Sequence, residues 1–346
     1  MVGPAPAVAA VRSAVRPGLR SSARPVLVAC SGGADSLALA AALAFEARAA
    51  GVPVGAVTVD HGLQTGSAER AATTAQLLRG LGLDPVTVVP VAVGDDGGPE
   101  AAARTARYAA LTGAAAGSGA RVALGHTLDD QAETVLLGLG RGSGPRSVAG
   151  MVEERTDGGV DWWRPLLGVR RATTRQACAD QQLPVWDDPW NTDPRYTRVR
   201  LRTEVLPLLE DVLGGGVAPA LARTAALLRE DLDALDALAA DRLAALAPGA
   251  DLDAGPLAPL PGAVRRRVLR GWLRQRGVRD LQAVHLTAVD ALVSRWRGQG
   301  PVQLPGATDV VRASGRLVLR REVRAAPAGH PAPRRTGGSP DAPRPG

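Results

Sequence analysis

Short apolar runs alternate with longer Ala/Leu-rich segments between residue 25 and about residue 190. The runs are rich in valine and too short for helices, which favours buried strands. We predict strands at 26–30, 54–59, 86–91 and 121–125, and helices at 35–50, 66–81, 100–117 and 128–140. Such alternation indicates an α/β fold, with a doubly wound, mostly parallel sheet covered by helices on both faces.

The remainder of the chain has a different pattern. Helices are predicted at 217–247, 261–276 and 282–297, and a small β element at 301–304 and 317–319. With a boundary at the glycine run 214–216, we expect a catalytic domain at 25–213. A helical linker and a smaller, mainly helical C-terminal domain are expected within 217–322. Residues 1–24 are expected to be a flexible N-terminus or first helix, and 325–346 a disordered basic tail.

A polar loop, Ser-Gly-Gly-Ala-Asp-Ser at 31–36, follows the first predicted strand. Paired glycines let the backbone approach an anion closely, and the start of the next helix presents unpaired N–H groups. Ser31 and Ser36 add hydroxyl groups, whereas Asp35 beside phosphates makes sense chiefly with a divalent cation between them. The loop therefore predicts a nucleotide-phosphate site, with an ordinary serine-capped helix as the alternative.

The commonest phosphate loop is excluded by composition. It requires a Gly-Lys-Ser/Thr ending, and all 41 basic residues of this chain are arginine. The dinucleotide fingerprint G-x-G-x-x-G is also absent from this loop.

A second polar cluster, 125–134, follows the fourth predicted strand and opens a helix. On a helix, His126, Asp130 and Glu133 would share one face and could bind a cation, an amine or both. Acidic capping of the helix N-terminus is the alternative, and for Asp129 it is the simpler interpretation. Strands of one parallel sheet end at one rim, so this cluster is expected beside the 31–36 loop.

Composition and charge bear mainly on the cellular compartment and on the class of binding partner. The net charge of +7 favours a polyanionic partner, but arginine with abundant Ala, Gly and Pro also indicates a GC-rich genome. Cys30 and Cys178 cannot form a disulfide framework, and no Cys/His cluster has metal-ligand spacing. With no apolar run of membrane-spanning length and no signal peptide, we expect a cytoplasmic, soluble protein without a membrane partner.

These motifs together resemble a known family. The 31–36 loop resembles the SGGxDS motif of the PP-loop ATP pyrophosphatase superfamily, whose fold is adenine nucleotide alpha hydrolase-like. More narrowly, ordered segments over about 25–210 resemble tRNA(Ile)-lysidine synthases. They are 59–63, 103–108, 125–133, 141–144, 164–167, 188–193 and 196–207. The chain departs from the family pattern at Thr127, Trp190 and Val199, so no family role is carried over to these positions.

The resemblance implies a two-step reaction on the wobble cytidine of tRNA(Ile) with a CAU anticodon. ATP adenylates the C2 carbonyl oxygen with release of pyrophosphate, and free L-lysine then attacks C2 and expels AMP. ATP and Mg²⁺ are the expected cofactors. The C-terminal domain is the expected reader of other parts of the tRNA, and a homodimer is left open.

The resemblance also suggests roles for individual residues. The expected ATP-binding residues are Ser31, Gly32, Gly33, Ala34, Asp35 and Ser36. Asp35 would hold Mg²⁺, and Asp130 and Glu133 would bind the lysine. The expected catalytic residues are Asp35, His126, Asp130 and Glu133, and the general base stays open among the last three. Asp60 and His61 would lie near the adenine, or are simply a polar strand end.

An arginine series flanks the predicted site and is expected to contact tRNA phosphates. Its members are Arg141, Arg146, Arg164, Arg195, Arg198, Arg200 and Arg202. Trp162, Trp163 or Trp190 could stack on a splayed base. A solvated basic face with buried tryptophans is the alternative.

Three other functions compete. A PP-loop tRNA thiolation enzyme needs a reactive cysteine pair, whereas Cys30 lies in a predicted strand and Cys178 has no cysteine nearby. An amidating enzyme acting on a small acid would not need the basic segment. A non-catalytic RNA-binding protein is disfavoured because Asp35, Asp130 and Glu133 are all present.

Overall fold

The structure is a computed structural model, and it describes residues 3–21, 24–94, 98–142, 144–246 and 249–321. The chain forms two compact units, Met1–Leu232 and Asp233–Gly346. The predicted tail at 325–346 lies outside the described residues.

The first unit alternates strands and helices as the apolar pattern predicts. Its strands are β1 (Val26–Ala29), β2 (Val54–Asp60), β3 (Val86–Pro90), β4 (Arg121–Leu124), β5 (Glu154–Asp157) and β6 (Val160–Trp163). The helices are α1 (Pro6–Ser21), α2 (Ala34–Ala50), α3 (Ser67–Gly80), α4 (Pro99–Ser118), α5 (Leu128–Arg141), α6 (Pro145–Val148), α7 (Arg171–Asp180), α8 (Thr197–Arg200) and α9 (Leu206–Val212). A 3₁₀ turn at Pro189–Thr192 and a π-helical turn at Leu201–Val205 complete the unit.

The six strands form one sheet in the order β3-β2-β1-β4-β6-β5. All neighbouring pairs are parallel except β5 and β6, which are antiparallel. Because β1 lies at the centre, Val28 pairs in register with both Ala56 of β2 and Ala123 of β4. The predicted α/β fold with a mostly parallel sheet is confirmed.

Alternating side chains of the strands feed two separate cores, one on each face of the sheet. Val28 packs with α1, α2 and α7 on one face, whereas Leu27 packs with α4 on the other. Buried central strands of this kind have apolar residues on both faces, which is why the sequence shows continuous runs there. The carboxyl ends of β1, β2 and β4 therefore meet at one rim, as expected.

Residues 6–21 form helix α1, with Val8, Val11 and Val15 buried, where the sequence left a flexible segment or a first helix open. Two other features of this unit differ from the sequence-based expectations. Strands β5 and β6 are not among the predicted strands. Strand β6 lies between β4 and β5, so Trp162 and Trp163 are almost fully buried and cannot stack on a base.

The second unit has its own core. A long helix, α10 (Val217–Leu246), crosses the division between the units, and α11 (Gly262–Gln275) and α12 (Ala283–Ser294) follow. Four short strands form an antiparallel sheet in the order β7-β10-β9-β8, namely β7 (Leu252–Asp253), β8 (Val302–Leu304), β9 (Thr308–Ala313) and β10 (Arg316–Arg321). Trp272 and Leu273 are central to the core and completely buried. The predicted smaller C-terminal domain, mainly helical with a small β element, is confirmed.

No single helix among the described residues has both the length and the apolar character needed to cross a membrane. One bent pair, Thr197–Val212 with Val217–Leu246, passes that test jointly, on length and composition only.

Candidate active site

The loop after β1 has the shape expected of an anion cradle. Gly32 has a φ of 85°, a left-handed conformation that favours glycine. The Ser36 hydroxyl accepts a hydrogen bond from the Ser31 N–H at 3.2 Å and donates one to the Gly33 carbonyl at 2.9 Å. The serine therefore fixes the turn, and the first N–H groups of α2, beginning at Ala34, are left for an anion.

Two glycines allow close packing at this rim. A Cβ at Gly125, just after β4, would lie 3.0 Å from the backbone of Asp35. A Cβ at Gly32 would lie 2.9 Å from the hydroxyl of Thr74. The 125–134 cluster is thus brought against the start of α2, as the strand order predicts.

Asp35 lies at the start of α2, and its carboxylate accepts hydrogen bonds from Thr174 and Arg171 of α7. Burial raises the pKa of Asp35 above its usual value, although Thr174 and Arg171 act in the opposite direction. Part of the carboxylate is still accessible, since 25% of the side chain is exposed.

Arg171 is the centre of the site, and it is missing from the residues predicted by sequence. Its guanidinium contacts three carboxylates: Asp35 at 3.4 Å, Asp130 at 2.6 Å and Glu133 at 3.2 Å. Burial opposes its charged form, but these acids raise the pKa of Arg171 overall. Nothing local in the sequence signals this role, because the partners lie 38 to 136 residues away along the chain.

Glu133 is completely buried, yet it is surrounded by arginines. Besides Arg171, it contacts Arg202 at 2.9 Å and Arg198 at 3.7 Å. A buried carboxylate is tolerated only when paired in this way. Arg198 and Arg202 therefore both pair with Glu133, while their side chains stay 37% and 29% exposed, and a contact with a tRNA phosphate stays a prediction.

Asp130 both caps the N-terminus of α5 and pairs with a cation, the guanidinium of Arg171. It forms a capping box with Thr127, accepting from the Thr127 N–H at 2.8 Å, and it also binds Arg171. Burial alone would raise the pKa of Asp130, but Arg171 and the Thr127 N–H lower it overall. Asp129 receives the backbone N–H of Arg171 at 2.7 Å, so it positions α7 rather than only capping α5.

His126 precedes α5, which begins at Leu128, so it does not share a helical face with Asp130 and Glu133. The turn nevertheless keeps it near Asp130. Burial, opposed by Asp130 and aided by Arg164 and other arginines, lowers the pKa of His126 to about 3. Its imidazole is therefore neutral at physiological pH.

The remaining predicted arginines lie in varied environments. Arg164 is only 5% exposed and donates to the Val152 carbonyl, so it is not part of an open surface. Arg195 and Arg200 are exposed but paired, with Asp193 at 2.6 Å and Glu204 at 2.9 Å. Arg141 and Arg146 are exposed.

Asp60 and His61 end β2 at the same rim. Asp60 accepts the Gly62 N–H at 3.0 Å, which is a local turn contact. Burial and the nearby Arg107 lower the pKa of His61. A role at the adenine stays a prediction.

Among the described residues, no three His, Cys, Asp or Glu side chains form a group that could hold a metal ion by themselves. Mg²⁺ is usually bound through one or two carboxylates together with substrate phosphates. The partly exposed carboxylate of Asp35, next to the anion cradle, fits that mode of binding.

Comparison with known proteins agrees with this geometry. A PP-loop domain model matches residues 7–209, and a TilS substrate binding domain model matches residues 252–318. In the solved structures, the U34-tRNA thiolase NcsA from Methanococcus maripaludis has a TM-score of 0.54 at 18% identity. It covers 64% of this chain and 80% of its own, and shows the fold alone.

Curated relatives are much closer in sequence. The tRNA(Ile)-lysidine synthase of Streptomyces coelicolor is 53% identical, over 92% of this chain and 100% of the relative. That of Thermobifida fusca is 55% identical, over 92% and 99%. That of Rhodococcus opacus is 56% identical, over 91% and 94%. With two matching domains and relatives of this similarity, the chain belongs to the tRNA(Ile)-lysidine synthase family.

Proposed function

We propose that this chain joins free lysine to C2 of the wobble cytidine in a tRNA(Ile) with a CAU anticodon. The C2 carbonyl oxygen attacks the α-phosphate of ATP, and pyrophosphate leaves. The side-chain amine of lysine then attacks C2, AMP leaves, and the amine gives up a proton to a base.

The observation that carries this proposal is the group of three carboxylates, Asp35, Asp130 and Glu133, gathered around one guanidinium beside the anion cradle. Such a group is built to hold a cation next to phosphates. In the reaction, an ammonium group and a nucleotide must meet at one place. The site therefore suits an ATP-dependent reaction of an amine.

The loop and Asp35 would act in the first step. The N–H groups at the start of α2 would bind the departing pyrophosphate, and the Ser36 hydroxyl keeps the turn in place. Asp35 would hold Mg²⁺, which supplies positive charge to the leaving group when it is bound.

Asp130 and Glu133 would act in the second step, with different parts. Glu133 is buried among arginines, so its charge would serve to place Arg171, Arg198 and Arg202. The Asp130 side chain is 15% exposed and is the better candidate to meet the lysine ammonium and take its proton. When the lysine ammonium binds Asp130, it would replace the contact between Arg171 and Asp130. Arg171 would then act by positioning the carboxylates and not by contacting the reacting atoms.

Incorporation of labelled lysine into purified tRNA(Ile), with ATP and Mg²⁺, tests the function. We expect lysine-dependent formation of AMP. The Asp35→Asn variant should lose about 10²–10³ in rate, because charge on the leaving group is no longer neutralised. The matched control is Asp187→Asn, which removes an exposed carboxylate that pairs with Arg175 and should keep full activity.

Full activity of the Asp35→Asn variant would contradict the role of this carboxylate, and AMP formation without lysine transfer would contradict the proposed function. Sulfur transfer, the competing function, is disfavoured because both cysteines are buried. Burial raises the pKa of the Cys30 thiol and raises that of Cys178 to about 11.

A further inference from the structure

A short segment, residues 185–190, lies against the phosphate loop, and the reaction steps above do not use it. We call it the strap; it follows α7 and runs into the 3₁₀ turn at Pro189–Thr192. The Trp186 N–H donates to the Gly32 carbonyl at 3.0 Å, so the strap is bonded to the glycine whose left-handed φ shapes the loop. A Cβ at Gly32 would lie 3.8 Å from the Cβ of Trp186, and one at Gly33 would lie 3.9 Å from its carbonyl oxygen. The strap therefore packs closely on both glycines.

Helix α3 contacts both the strap and the loop. Arg70 and Thr74 are four residues apart on this helix and so lie on one face. The Arg70 guanidinium lies over the Trp186 ring, 4.8 Å from its centre, and the Thr74 hydroxyl is 2.9 Å from a Cβ placed on Gly32. Gly32 therefore lies against both α3 and the strap, which Arg70 and Trp186 join to each other.

The loop after β2 connects the same two elements a second time. Arg70 donates to the Thr65 carbonyl at 2.8 Å and to Oε1 of Gln64 at 3.1 Å. Gln64 in turn donates through Nε2 to Oδ1 of Asp188 in the strap, at 3.0 Å. The same carboxylate oxygen accepts the Trp190 N–H at 2.9 Å and so caps the 3₁₀ turn. Arg70 thus contacts one end of the strap directly and the other end through Gln64.

These contacts hold a part of the phosphate loop that its own side chains leave free. Glycine lets the backbone approach an anion, but it is also the most flexible residue, and ordering it on binding costs free energy. The Ser36 hydroxyl bonds the Ser31 N–H and the Gly33 carbonyl. Neither bond involves the Gly32 carbonyl, which is the group that the strap holds. The strap therefore fixes the loop in its binding shape before a ligand arrives.

We propose that Trp186 and Arg70 are positioning residues for the binding of ATP. They keep Gly32, and with it the N–H groups of the loop, in the arrangement that receives the phosphates. In this role they act through the loop and not on the reacting atoms. The proposal rests on the proposed function, because it takes ATP as the ligand of the loop.

The test is the Kd for ATP with Mg²⁺, measured by calorimetry on the full chain without tRNA or lysine. Trp186→Leu should raise this Kd about tenfold, because the ring contact and the ordering of the loop are both lost. Arg70→Gln should raise it about two- to fivefold, the value for a partly exposed contact between a cation and a ring. Trp186→Phe keeps an aromatic face under Arg70 and should stay within about twofold of the parent protein.

A double-mutant cycle shows whether the two residues act together. Because Arg70 is proposed to act through the Trp186 ring, Arg70→Gln should change the Kd for ATP by less than about twofold once Trp186 is leucine. Additive effects of the two substitutions would contradict the proposed link between them.

Arg79→Gln is the matched control. Arg79 is an exposed arginine in the last turn of the same helix, and it donates to the Val86 carbonyl. Its substitution should leave the Kd for ATP unchanged. Since Arg70 is partly exposed, the Arg70→Gln variant can be tested even if the Trp186→Leu variant does not fold.

Steady-state assays of lysine transfer separate positioning from a purely structural role. The Trp186→Leu variant should have a raised KM for ATP, whereas kcat at saturating ATP and the Kd for tRNA should stay within about twofold of the parent protein. An unchanged Kd for ATP in either variant would overturn the proposal. A parallel loss of kcat, ATP affinity and tRNA affinity would also overturn it, since that is the result of a damaged fold.

The ATP measurement is independent of the transfer reaction, because it contains neither tRNA nor lysine. A parent protein that binds ATP through the strapped loop but transfers no lysine would refute only the proposed function.

Discussion

The imidazole of His126 is held neutral by its surroundings, and this has a measurable cost in acid. Its pKa is about 3 in the folded protein and about 6.5 when unfolded. The unfolded state therefore binds more protons between these values, and stability falls as the pH is lowered below 6.5. Between pH 7 and pH 5, His126 should contribute a loss of about 2 kcal/mol in the free energy of unfolding.

The His126→Asn variant tests this, because asparagine cannot take up the proton. Urea unfolding at pH 7 and pH 5 should show a smaller loss of stability for the variant than for the parent protein. Equal losses for the two proteins would mean that His126 is not kept neutral by folding. Asp35 acts with the opposite sign, since its pKa is raised and protonation at low pH favours the folded state.

Neither cysteine is placed to react. Cys30 is buried beside Ser36, and Cys178 is buried against the Ala34 carbonyl, at 3.3 Å. Thiols with raised pKa are poor nucleophiles. We expect a Cys30→Ala, Cys178→Ala double variant to retain lysine transfer within about twofold, although small cavities should lower its thermal stability. Loss of transfer with an intact fold would contradict this.

At the level of single residues, the sequence predicts what is local and misses what is not. The 31–36 loop and the acids at 130 and 133 stand next to strand ends, so their position follows from the strand order. Arg171 and Thr174 are brought to Asp35 by the packing of α7 on α2, which no neighbouring residue signals. Arg198 and Arg202, which the sequence predicts as tRNA contacts, also pair with the buried carboxylate of Glu133, and charge alone does not reveal that second contact.

Helix α5 packs so closely on α6 that one of its glycines leaves no room for a side chain unless the backbone moves. A Cβ at Gly138 would lie 2.1 Å from the backbone oxygen of Ser147, whereas nothing lies within 4 Å of a Cβ at Gly140. Both glycines are in the same helix, so the pair separates packing from helix propensity.

We expect Gly138→Ala to lower the free energy of unfolding by about 2 kcal/mol, because backbone must move. Gly140→Ala should raise it by about 0.5 kcal/mol or more, since alanine favours the helix. Chemical denaturation of both variants measures the difference. Equal effects of the two substitutions on the free energy of unfolding would contradict the close contact between α5 and α6 at Gly138.

Elements are predicted well where apolar periodicity is strong. The first four strands and α2 to α5 are found within one or two residues of their predicted bounds. The hairpin of β5 and β6 was not predicted because β5 is exposed and polar. The two tryptophans of β6, taken without their strand partners, suggest a binding surface. Their burial depends on pairing with β4, which is a long-range contact.

The whole molecule consists of two compact units, Met1–Leu232 and Asp233–Gly346, and the core of the second unit is separate in sequence from those of the sheet. The domain bounds expected from the sequence stay a prediction, and the compact units divide inside α10. Chains with two cores commonly unfold in more than one step.

We expect two thermal transitions, of which ATP with Mg²⁺ raises only one, because a ligand stabilises the unit that binds it. The Leu273→Ala variant assigns the other transition. Leu273 is fully buried in the second core, so its truncation should lower the transition that ATP does not move. A single transition shifted by both changes would show that the units unfold together.

The three arginines around Glu133, namely Arg171, Arg198 and Arg202, have a consequence for the chemoselectivity of the site. Its cations are guanidinium groups, and the chain contains no lysine at all. Guanidinium groups stay protonated under all physiological conditions and are not nucleophiles. An activated cytidine in this site would therefore meet no side-chain amine of the protein, so the enzyme cannot label itself. Every lysine found attached to the product must have come from solution. In an assay with isotope-labelled lysine, the label on the tRNA would therefore measure transfer of the free amino acid alone.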